Sequence, residues 1–173
     1  MAHIIAVANQ KGGVGKTTTT VNLGACLADV GKRVLIIDAD AQGNATSGVG
    51  IQKPDVGKDI YDVLVNEDPI SEATLETKHQ NLWIVPATIQ LAGAEIELTS
   101  QMAREMRLKL GLAAVENDYD YILIDCPPSL GQLSINAFTA AHSILIPVQS
   151  EYYALEGLSQ LLNTVRLVRK HFD

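Results

Sequence analysis

Apolar runs punctuate the chain at intervals of a few tens of residues: His3-Ile4-Ile5-Ala6-Val7-Ala8, Val34-Leu35-Ile36-Ile37, Leu82-Trp83-Ile84-Val85-Pro86, Tyr121-Ile122-Leu123-Ile124-Asp125, and Ile144 to Val148. Such nearly continuous runs are expected of strands buried on both faces of a parallel sheet. Between them, apolar positions recur at helical spacing. Leu23, Leu27 and Val30 predict a helix from Lys16 to Val30 that Gly31 ends. Weaker patterns predict helices over Ala92 to Leu98, Ala103 to Glu116 and Leu133 to Ala141. Leu155, Leu158, Leu162 and Val165 share one face of a long helix from Ala154 to His171. From Ala45 to Thr77 the pattern fades, and Gly48, Gly50, Pro54 and Gly57 predict an exposed loop before a short helix over Ile60 to Val65. Strands alternating with helices imply an α/β fold with a doubly wound, mainly parallel sheet, and 173 residues fit a single domain spanning 1–173.

Composition narrows this picture. A 47% hydrophobic content suits a globular chain rather than a disordered one. No apolar run is long enough to cross a bilayer and no charged-then-apolar leader precedes the first strand, so the expected location is cytoplasmic, without stable membrane association. Cys26 and Cys126 suit neither a disulfide framework nor a paired-cysteine metal site, and packing as reduced thiols is their default role. The net charge of −7 argues against an extensive nucleic-acid surface. Arg166, Arg169, Lys170 and His171 read as cations opposing a helix dipole, and Arg104, Arg107 and Lys109 as a solvated helix face. The four histidines lack metal-ligand spacing, and Ser129 and Ser134 lack the setting of a nucleophile elbow.

Candidate chemistry concentrates after three of the strands. Asn9-Gln10-Lys11-Gly12-Gly13-Val14-Gly15-Lys16-Thr17-Thr18 follows the first strand and opens the first helix. Its glycines let successive N–H groups converge on an anion at a helix N-terminus. Lys16 supplies a mobile ammonium for terminal phosphates and Thr17 a hydroxyl for Mg²⁺. A flexible linker is also glycine-rich, but it is not framed by a strand and a helix. The common Walker A pattern wants glycine where Gln10 stands, beside an additional Lys11. The second strand leads into Asp38-Ala39-Asp40-Ala41-Gln42-Gly43-Asn44, delivering two acids to the same sheet edge, although Asp also suits ordinary turns. Asp125 ends its own strand in the Walker B manner, where an acid can hold Mg²⁺ through water, and Pro127 and Pro128 stiffen the exit.

Lys11-Gly12-Gly13-Val14-Gly15-Lys16-Thr17-Thr18 resembles the deviant Walker A motif of the ParA/MinD ATPase superfamily, a type of P-loop NTPase. Asn9-Gln10, Asp38-Ala39-Asp40-Ala41-Gln42-Gly43-Asn44-Ala45-Thr46 and Asp125-Cys126-Pro127-Pro128 are most similar to the ParA/Soj chromosome- and plasmid-partition branch. The resemblance implies a Mg²⁺-dependent ATPase that works as an ATP-dependent homodimer. Lys11 would reach the partner's nucleotide, Lys16 would serve its own, and Asp40 would position or activate the attacking water. Lys11, Gly12, Gly13, Val14, Gly15, Lys16, Thr17 and Thr18 would hold ATP, with Thr17, Asp38 and Asp125 around Mg²⁺. The implied partners are non-specific DNA and a ParB/Spo0J-type centromere-binding protein, with nucleoid association. Family members normally continue beyond the position of Asp173 through elements carrying adenine contacts and much of the DNA surface, so the expectation is a C-terminally truncated chain. Alternatives are a MinD-like division-site ATPase, which needs a C-terminal amphipathic helix, and a non-catalytic nucleotide-binding regulator. An iron–sulfur reductase or carrier is disfavoured by the cysteine pattern.

Overall fold

The computed structural model describes residues 1–9, 15–148 and 152–172. In chain order the strands are β1 (His3–Val7), β2 (Val34–Asp38), β3 (Leu75–Glu76), β4 (Leu82–Val85), β5 (Tyr121–Asp125) and β6 (Ser143–Leu145). The α-helices are α1 (Lys16–Asp29), α2 (Asn44–Gly48), α3 (Ile60–Val65), α4 (Ile70–Ala73), α5 (Ala94–Glu97), α6 (Arg107–Ala113), α7 (Gln132–Ala140) and α8 (Tyr152–Phe172). The sheet order is β3-β4-β2-β5-β1-β6, parallel throughout except for the β3–β4 pair. The doubly wound, mainly parallel sheet is therefore present.

Alternation along the strands divides the core between two faces. Val34 and Ile36 of β2, Leu82 and Ile84 of β4, and Leu123 of β5 pack with Ala28 and Ala45, with Val21, Leu23 and Leu27 of α1 against them. Leu35, Ile37, Val85, Ile122 and Ile124 face the other way, among Leu64, Leu108, Leu112, Ala137 and Leu161 of α3, α6, α7 and α8. At Gly24 helix α1 approaches the sheet so closely that a Cβ would lie 3.1 Å from Ile36 Cδ1 and 3.3 Å from Leu82 Cδ1. The helix ends where expected: Gly31 N–H donates to Ala28 and Lys32 N–H to Leu27, satisfying its last carbonyls.

Several local expectations change. The weakly patterned stretch 45–77 holds α2, α4 and β3 besides α3, and Ala45 and Thr46 are buried rather than looped out. Elements of two to five residues are too short to display a period, so glycine and proline dominated the sequence signal. The helix predicted over Ala103 to Glu116 contracts to α6, with Ala103 at φ 53° ahead of it, and 3-10 turns flank α5 at Ile89–Gly93 and Leu98–Ser100. Strand β6 ends at Leu145 rather than Val148. Arg107 is no solvated cation: with 10% of its side chain exposed, it pairs with Glu67 at 2.9 Å and donates to the Met102 carbonyl. Cys126 packs in the core, whereas Cys26 is exposed on α1.

Candidate functional site

Parallel strands carry their carboxyl ends to one edge, where β1 ends beside β5 and β2 and β5 deliver the acids. Asn9, just beyond β1, donates from its side chain to the Pro147 carbonyl beyond β6. Gly15 then opens α1 at φ 76°, a left-handed conformation that a side chain would strain. Lys11, Gly12, Gly13 and Val14 of the expected site lie outside the described residues, as does Gln10.

Both strand-end acids leave the sheet on the α1 face, because Asp38 is in step with Val34 and Ile36 and Asp125 with Tyr121 and Leu123. They are neighbours in register across β2 and β5. The Asp125 carboxylate is fully buried and collects donors from the first turns of α1. Lys16 Nζ lies 2.7 Å from Oδ1, Thr17 Oγ1 donates to Oδ2 at 2.9 Å, and Thr20 Oγ1 lies 3.2 Å from Oδ1. Thr20 also reaches the Lys16 carbonyl at 3.0 Å. Thr17 and Thr20 are three residues apart and share a helix face, so Thr20 joins the candidate site as a neighbour of Asp125 that the sequence did not single out.

Asp38 is equally buried but differently satisfied. Its Oδ2 accepts from Thr46 N–H at 2.9 Å and from Thr46 Oγ1 at 2.7 Å, and its Oδ1 accepts from Asp40 N–H at 3.2 Å. Burial pushes its carboxyl up to about 6, opposed by the Thr46 hydrogen bonds and reinforced by the Asp125 charge. Asp40 is half-buried, and its Oδ1 accepts from Gln42 N–H at 3.0 Å. Thr46 had no individual signal in the sequence beyond its place in the motif. Thr18 is exposed at the start of α1.

This donor set fits a phosphate ester with a hard cation. A helix N-terminus and the Lys16 ammonium suit phosphate oxygens. By giving its proton to Asp125, Thr17 Oγ1 keeps lone pairs for a cation. Among the described residues no group of three or more His, Cys, Asp or Glu side chains is arranged to enclose a metal. Also among the described residues, no helix is long and apolar enough to cross a membrane.

The family model described as an AAA domain matches residues 2–173. The sporulation initiation inhibitor protein Soj of Bacillus subtilis is 65% identical over 173 residues, which are all of this chain and 68% of that protein. The chromosome partitioning protein ParA of Myxococcus xanthus is 54% identical over 170 residues, 98% of this chain and 60% of that protein. Among solved structures, the cobyrinic acid a,c-diamide synthase of Mycobacterium smegmatis with bound ADP and magnesium superposes with a TM-score of 0.95. The two are 42% identical, with all of this chain and 70% of the other covered. A fold shared under such different names does not separate functions, whereas identity above half along nearly the whole chain does separate families. The chain belongs to the Soj/ParA family of chromosome-partitioning proteins.

Proposed function

We propose that this chain is the ATP-binding and hydrolysing unit of a partition protein, a single domain over 1–173 that binds ATP with Mg²⁺ and converts it to ADP and phosphate. The observation that carries this reading is the convergence of Lys16, Thr17 and Asp125 within hydrogen-bonding distance at a helix N-terminus, with Asp38 in register beside them. The ADP and magnesium bound to the Mycobacterium smegmatis protein support it.

In this reading Lys16 exchanges Asp125 for terminal phosphate oxygens when nucleotide enters, while Thr17 and Thr18 complete the cradle begun by Lys11, Gly12, Gly13, Val14 and Gly15. Thr17, Asp38 and Asp125 form the magnesium neighbourhood. Bound Mg²⁺ would supply charge neutralisation across the phosphate oxygens. Asp40, on its half-buried loop, positions or activates the attacking water. Phosphoryl transfer depends mainly on such positioning and charge stabilisation. Lys11 would act across an ATP-dependent homodimer, coupling hydrolysis to assembly. A ParB/Spo0J-type protein and non-specific DNA are the partners this reading expects, at the nucleoid. Since the chain spans 60–68% of the two curated relatives' lengths, those partners belong to the proposal for the whole protein.

The test is Asp40→Ala. ATP affinity by calorimetry should stay within about threefold of wild type while turnover falls by at least about a hundredfold, the range expected of a general base. Turnover at the wild-type rate refutes the assignment of Asp40.

A further inference from the structure

We infer that Thr46 is the positioning residue of the hydrolytic loop, holding the backbone that carries Asp40 by joining Asp38 to the exit of β4. The inference rests on the hydrolytic reading above for its consequence in turnover, while the bonds that carry it are independent of that reading.

The Thr46 hydroxyl has one proton and two acceptor lone pairs. It accepts from Ala87 N–H at 3.0 Å, and its proton goes to Asp38 Oδ2 at 2.7 Å. Its own N–H goes to the same oxygen at 2.9 Å. The hydroxyl is thus fixed in orientation by its two partners, and both Thr46 and Asp38 are 0% exposed. Because Asp38 Oδ1 also accepts from Asp40 N–H, a single carboxylate closes the segment 38–46 into a ring at both ends. Inside the ring, Gly43 N–H bonds the Asp40 carbonyl at 2.9 Å and Gln42 N–H bonds the Asp40 carboxylate.

The ring is anchored from outside only one step further on. Ala87 lies between Pro86, whose carbonyl accepts from Ile60 N–H at 3.0 Å, and Thr88, whose hydroxyl donates to Asp59 at 2.6 Å. Asp59 caps α3 through a reciprocal pair of bonds with Asp62. Thr46 is therefore where a loop bearing a candidate water-positioning acid meets a braced part of the scaffold. Support of this kind keeps a reacting group near productive geometry, and a misplacement of about 1 Å can cost about a hundredfold in rate.

The experiment compares Thr46→Val, which keeps shape and removes the hydroxyl, with Thr46→Ser, which keeps the hydroxyl. Thr46→Ala, with room for a water, replaces the valine variant should that variant not fold. Two readouts are taken on the 173-residue protein: amide hydrogen exchange, and ATP affinity with kcat. Loss of the hydroxyl should speed exchange at Asp40, Gln42 and Ala87 by at least about tenfold, the order of one lost buried hydrogen bond. Exchange in β1 and β5 should stay within about twofold. ATP affinity should change by less than about threefold while kcat falls at least about tenfold, and Thr46→Ser should restore both readouts. Unchanged exchange in this loop overturns the positioning role, as does an unchanged kcat in an actively hydrolysing protein. A wild-type protein that binds ATP without turnover refutes the hydrolytic reading instead, and exchange alone then decides the role of Thr46.

Discussion

Asp125 and Asp38 end adjacent parallel strands, lie opposite each other in register and are both removed from solvent, yet they are stabilised by different means. Asp125 faces an ammonium and two hydroxyls from one helix. Asp38 faces a backbone amide of its own turn and both donors of Thr46, all of them neutral. The same sequence device, an apolar strand closed by an acid, thus yields an ion-paired station and a loop-organising station. What separates them is the element that arrives above each strand end. A helix N-terminus brings a cation to one, and a reversing loop brings only dipoles to the other.

Removing the acid from the paired station should have the largest effect. In Asp125→Ala the nearly buried Lys16 ammonium loses its partner, and stability should fall by about 3 kcal/mol, toward the lower end for a broken buried pair because Lys16 retains 10% exposure. Urea unfolding measures this, and a loss below about 1 kcal/mol would erase the contrast. The second test uses pH. Asp38 has a folded value of about 6 against an ordinary 3.8, so the folded state holds its proton more tightly. Its contribution to stability is complete below pH 3.8 and is lost as pH rises through about 6. Asp38→Asn carries no such titration. In metal-free buffer, wild type should gain about 2 kcal/mol on this variant between pH 7 and pH 4, and parallel stability curves would contradict the account. The smallest effect belongs to Thr20→Val, which removes one hydroxyl from the better-supplied acid. It should cost about 1 kcal/mol in the same unfolding assay. A cost matching that of Asp125→Ala would mean that the hydroxyl, rather than the ammonium, dominates that station.

Long features with regular patterning were legible in the sequence. The apolar runs of β1, β2, β4 and β5 announced buried parallel strands, and Asp38 and Asp125 were correctly placed at their carboxyl ends. Lys16 and Thr17 were legible as the opening of a helix, because they follow a glycine-rich stretch after an apolar run. What escaped depended on tertiary contact. Nothing local distinguishes Thr20 from its neighbours Thr18 and Thr19 except the helix phase that turns it toward Asp125. Thr46 sits in a helix of five residues, where no period can develop, and its partner Ala87 contributes a backbone amide that has no sequence signature. Arg107 differs from its sequence expectation for a related reason: its helix face shows charge, while its partners, Glu67 and the Met102 carbonyl, lie in two earlier segments.

The bond between Lys16 and Asp125 spans 109 positions of the chain. Parallel pairing demands such long separations, so these contacts form only after much of the entropy of closing the intervening chain has been lost. During synthesis at about 5 to 20 residues per second, the lysine would wait about 5 to 20 s for its carboxylate. Until then Lys16, Thr17 and Thr20 of α1 would lack the carboxylate they share. The pair would close only as β5 enters the sheet between β1 and β2.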